Sequence, residues 1–168
     1  MKMFSIGESV MYGVHGVCTV VGTQVQRVDR KNVTYLVLQP SQQGGSRFYL
    51  PLENPKAMEK VRPILTRQEL DALVQDEAVR AGEWIADENR RKLRYREILA
   101  SGDRAALLQM IHTVHAHAKQ QLSSGKKVHI CDENFLRDAH RLVEGEFSAV
   151  LGIPSDQVAA WLAEHLGS

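Results

Sequence analysis

Residues 61–75 read VRPILTRQELDALVQ, and the period of the chain changes within them. Up to about Arg62 the pattern is that of strands; after Pro63 it becomes helical. Thr66 followed three residues later by Glu69 is a capping box, which opens a helix at RQELDALVQ. The chain therefore divides into a β module over 1–62 and a helical domain over 63–168, an α+β arrangement.

Upstream of this boundary, SVMYGVHG (9–16), VCTVVGTQVQRV (17–28), VTYLVLQ (33–39) and RFYLPL (47–52) are short alternating or β-branched runs. DRKN (29–32) and QPSQQGGS (39–46) supply turn chemistry between them. Several short strands in about sixty residues imply a small, strongly bent sheet or an SH3-like barrel, because such strands bury little unless the sheet curls. Downstream, a second helix is expected from about Gly82 to Leu99, with Gly102 as its stop. Asp103 is placed to cap a third helix, with Leu108, Ile111, Val114 and Ala118 on one face. LSSGKK (122–127) reads as a loop. Asp132 is placed to cap a long fourth helix carrying Phe135, Ala139, Leu142, Phe147 and Leu151. GIPSDQ (152–157) breaks the chain, and Ser155 caps a last helix with Val158, Trp161, Leu162 and Leu166.

The 168 residues are 43% hydrophobic, 24% charged and formally +1, so any nucleic-acid footprint must be local. Cys18 and Cys131 lie far apart without a CxxC spacing, which suggests neither a disulfide framework nor a zinc site and fits a reducing cytosol. The polar start MKMFSIGESV lacks the apolar core of a signal peptide, and no apolar run approaches the ~18 residues of a membrane span. A cytoplasmic protein without membrane contact is expected.

Charge separates the chain more sharply than composition does. Residues 1–62 carry a net +4 and residues 89–127 a net +7, whereas 63–88 and 128–168 carry −5 each. The densest stretch is DENRRKLRYREI (87–98), with Arg90, Arg91, Lys92, Arg94 and Arg96. On a helical wheel at about 100° per residue, Trp84, Ile85, Tyr95 and Leu99 share an arc. Arg90 and Arg94 project to the other side, and Arg91 stands at the border. Such a basic stripe suits phosphate binding; a merely solvated helix face is the other reading. Trp84 reads either as a core anchor or as an aromatic wedge against an unstacked base pair.

No catalytic constellation emerges. His112, His115 and His117 lack a carboxylate at zinc-enzyme spacing, and His117 falls well round the helix from His112. SSGKK lacks the first glycine and the preceding strand of a phosphate-binding loop, and neither cysteine has a supporting histidine motif. A non-enzyme without metal, cofactor or small-molecule substrate is expected.

FSIGESVMYGVHGVCTVVG, then YLVLQ, then FYLPLENPKAMEKVRPIL resembles the start of the CarD-like (CarD/CdnL) bacterial transcription regulators. The matching residues are Phe4, Ile6, Gly7, Glu8, Val10 and Tyr12, then His15–Gly16, Tyr35 to Leu38, and Pro51, Glu53 and Asn54. NRRKLRYREILASGD and FLRDAHRLVEGEFSAVLG resemble that family's helical part. The resemblance implies a Tudor-like module, shared with the transcription-repair coupling factor, that binds the β subunit of bacterial RNA polymerase. It also implies a helical domain lying against upstream promoter DNA and favouring the open complex. Polymerase contacts then fall around Gln26, Arg27 and Tyr49. Phosphate contacts fall to Arg90, Arg91, Arg94, Lys126 and Lys127, which position without reading sequence. Several members place a tryptophan just before the Arg-Arg pair; here Trp84 stands more than one helical turn upstream. The rival reading is an adaptor on polymerase whose helical domain binds a protein and not DNA.

Overall fold

A computed structural model describes residues 4–13, 15–41 and 45–166. Val14 in the first run and Gln42, Gln43 and Gly44 in the turn at 39–46 lie outside the described residues. The chain forms two compact units, 1–64 and 65–168.

The first unit is a five-stranded antiparallel sheet: β1 (Ser9–Tyr12), β2 (Val17–Val28), β3 (Lys31–Pro40), β4 (Phe48–Pro51) and β5 (Val61–Pro63), in the order β4-β3-β2-β1-β5. A short helix, α1 (Pro55–Met58), capped by the Asn54 side chain, joins β4 to β5. Strand β5 is absent from the sequence reading: three residues ending in proline carry no alternation to detect. All five strands contribute to one core, among them Val10, Cys18, Leu38, Leu50 and Val61, so the sheet curls around it. The β2–β3 register shifts between Val20 and Gly22, where a bulge turns the strand. Beyond it, Thr23 to Val28 are exposed, and the hairpin tip projects past the core. Its two-residue turn holds Asp29 and Arg30 at φ 47° and 66°, the left-handed geometry that matches strand twist.

The second unit is all helical. α2 (Arg67–Gln75) opens with the expected capping box: Thr66 Oγ1 accepts from the Glu69 amide at 3.1 Å, and Glu69 Oε1 accepts from the Thr66 amide at 3.0 Å. Asp76 caps an unanticipated single turn, α3 (Glu77–Arg80). α4 spans Glu88–Ser101, starting six residues later than expected. Asp87 takes the cap position and accepts from the Arg90 amide at 3.0 Å, ending helical geometry there and leaving Trp84 and Ile85 outside the helix. Gly102, at φ 66°, stops α4 as expected, and Asp103 caps α5 (Arg104–Ser123). α6 (Ile130–Leu151) has His129 rather than Asp132 at its cap position; Asp132 lies within the first turn and is buried. Ser155 starts a 3₁₀ turn running into α7 (Val158–Leu166). The core joins Leu70, Tyr95, Leu108, Ile111, Phe147 and Leu162. Among the described residues no helix is long and apolar enough to cross a membrane.

Candidate nucleic-acid interface

α4 buries Arg91, Tyr95 and Ile98, spaced i, i+4, i+7. The opposite stripe exposes Arg90, Leu93, Arg94 and Glu97. Arg94 meets Glu97 at 3.6 Å in an exposed pair that water screens heavily. Lys92 meets Glu88 at 3.4 Å, and Arg96 is exposed on a separate flank about 120° from Arg90.

Arg91 behaves differently from its neighbours. Its side chain is 4% exposed and forms a fork on the buried Asp132, with Nε to Oδ1 at 2.9 Å and Nη2 to Oδ2 at 3.3 Å. Nη1 donates to the Ile85 carbonyl at 2.8 Å, and the guanidinium lies 4.3 Å from the centroid of the Trp84 ring. Arg91, which the helical wheel sets at the border of the stripe and the family resemblance counts among the phosphate contacts, is therefore turned inward. It fastens the extended segment before α4 to the start of α6. Arg104 is likewise withdrawn from the basic footprint, being ion-paired to the buried Glu146, which also accepts from the Leu65 amide at 3.0 Å.

Trp84 is half-buried, stacked on His117 with centroids 3.5 Å apart and planes 6° from parallel. Trp84, Arg91, His117, Gln121, Lys127 and Asp132 line a cleft of about 240 Å³ between the starts of α4 and α6 and the end of α5. The fold thus brings Lys127 and Trp84 to one cleft, with Lys126 exposed beside it. Gln121 escaped the sequence reading, and His117 was weighed there only as a metal ligand and not as a partner of Trp84, because the segments forming the cleft are distant in the chain.

The three clustered histidines do not converge. His117 contacts Trp84 and Gln121, whereas His115 Nε2 lies 3.2 Å from His140 Nε2 on α6. Burial first, then His115, pushes His140 down to about 4.

On the sheet, register sorts the candidate polymerase contacts. Gln26 pairs with Val33, and Tyr49 with Val37; these residues share the face opposite Leu36 and Leu38. Arg27 pairs with Asn32 and faces the other way. Tyr49 is 43% exposed, and Gln26 and Arg27 are exposed.

No curated protein matches the chain. Residues 4–63 match the model of the CarD-like/TRCF RID domain. That match spans the curled sheet, from Phe4 through the last strand, and the N-terminal unit of this chain is a member of this RNA polymerase-binding domain family.

Proposed function

We propose that this protein is a non-catalytic transcription regulator that binds the β subunit of bacterial RNA polymerase through residues 1–64 and upstream promoter DNA through the helical unit, stabilising the open complex. The RID-domain match carries the reading. Gln26 and Tyr49, each exposed and on the same side of the sheet, are the proposed polymerase contacts, with Arg27 at the hairpin's other side. Arg90 and Arg94, with Lys126 and Lys127, are the proposed phosphate contacts, and Arg91 and Trp84 hold α4 in position. Such contacts attract DNA of any sequence, so promoter choice rests with the polymerase. Acting on polymerase places the protein in the cytoplasm, at the nucleoid.

A second reading has its own support: Leu93, 61% exposed, sits on the stripe with Arg90 and Arg94, as suits a protein partner. The deciding experiment titrates residues 1–64 and the whole chain against polymerase, with and without forked promoter DNA. Binding by residues 1–64 alone, tightened by DNA only in the whole chain, is expected for tethered two-site binding. Binding indifferent to DNA in both would leave the adaptor reading; no binding in either would overturn both.

A further inference from the structure

We propose that Glu88, His129 and Cys131 form a site for a zinc-class divalent cation that ties the start of α4 to the start of α6. One donor atom from each residue, a carboxylate oxygen, an imidazole nitrogen and the thiol sulfur, lies within 4.8 Å of the other two. Tetrahedral zinc, with bonds of about 2.0–2.3 Å, sets its donors roughly 3.3–3.7 Å apart. Closing the set therefore requires a contraction of about 1 Å, within rotamer reach because Glu88 and His129 are exposed. The Cys131 thiol already turns to Glu88, with Sγ 3.6 Å from Oε1. His129 occupies the N-cap position of α6 yet makes no side-chain cap bond, so its imidazole is not tied to the helix end.

The donor chemistry selects the ion. A thiolate and an imidazole beside one carboxylate suit Zn²⁺ and disfavour Mg²⁺ or Ca²⁺, which take oxygen ligands. Binding sends the thiol proton to solvent, and the thiolate and carboxylate together neutralise the dication. No net positive charge then accumulates at two helix N-termini, where it would be unfavourable. Lys92, 3.4 Å from Glu88, is the resident cation and must swing aside. Asp132 stays out of the coordination sphere because Arg91 holds both its oxygens. Three protein donors leave a fourth position for water.

Co²⁺ serves as the probe, titrated into the full chain and followed by absorption. One equivalent should give tetrahedral d–d bands and a thiolate-to-cobalt charge-transfer band, both abolished by Zn²⁺. Cys131→Ser should remove the charge-transfer band. Glu88→Gln and His129→Gln should each weaken Co²⁺ affinity more than about 10-fold, the scale that even outer-shell changes produce. Circular dichroism of the metal-free variants should match the parent, because the changed side chains are surface or half-buried. Absence of the charge-transfer band, its survival in Cys131→Ser, or unchanged affinity in Glu88→Gln and His129→Gln would each overturn the proposal. The last outcomes would move the metal to Cys18 or to a histidine pair such as His115 and His140.

Discussion

Two adjacent arginines on α4 differ completely in what they are worth to the fold. Arg90 points to water, and Arg90→Ala should change unfolding free energy by no more than about 0.5 kcal/mol. Arg91→Ala strands Asp132, which is 3% exposed, and should cost about 3–5 kcal/mol. Urea denaturation of the two variants checks this; equal stabilities would mean that the buried fork is not formed in solution. His140 supplies a pH dependence. Its folded pKa of about 4 lies below the ordinary 6.5, so on acidification the unfolded chain takes up the proton first. The contribution of neutral His140 to stability is thus fully present above about 6.5 and is lost as pH falls toward 4. The melting temperature should drop between pH 7 and 5, and His140→Leu should flatten that slope; an unchanged slope would place the acid sensitivity elsewhere.

The elements depend on small backbone details. The β2–β3 hairpin turns on Asp29 and Arg30, both left-handed without being glycine. Asp29→Asn with Arg30→Gly suits this turn and should raise the stability of the β unit by about 1 kcal/mol, measured by denaturant midpoint. Gly82 has the opposite character: a Cβ there would come 2.6 Å from Gln109 Cγ and would also crowd Thr113, which is buried on α5. Gly82→Ala should therefore lift the segment before α4 off α5 and cost about 1–3 kcal/mol, with the loss visible in the near-ultraviolet signal of Trp84. At this scale the sequence was informative where a cap or stop is local, as at Thr66, Gly102 and Asp103. It began α4 too early because Trp84 and Ile85 fall on the helical arc of Tyr95 and Leu99, and it began α6 too late because Asp132 is a plausible cap. Only the partner across the core, Arg91, shows that Asp132 is used otherwise.

Across the molecule, each unit owns a core, and basic charge is distributed between them. DNA affinity of the whole chain should fall steeply with salt. Arg90→Glu with Arg94→Glu should lower the slope of log K against log[salt] by about 2, the loss of two phosphate contacts. An unchanged slope would remove α4 from the DNA face.

The amino-acid sequence by itself determined the order of a β unit and a helical unit, the boundary near Pro63, most helix stops and the outward stripe of Arg90 and Arg94. These follow from periodicity, capping and turn chemistry, which act over a few neighbouring residues. Only the tertiary structure decided that Arg91 and Arg104 are withdrawn from the basic face, that Gln26 and Tyr49 share one sheet face, and that Glu88 meets His129 and Cys131. Each depends on a partner brought close by packing or by strand register. The fork on Asp132 joins residues 41 positions apart, and the contact of Glu88 with Cys131 spans 43. No local pattern encodes such a meeting, because the energy that selects it is burial and pairing in the folded state.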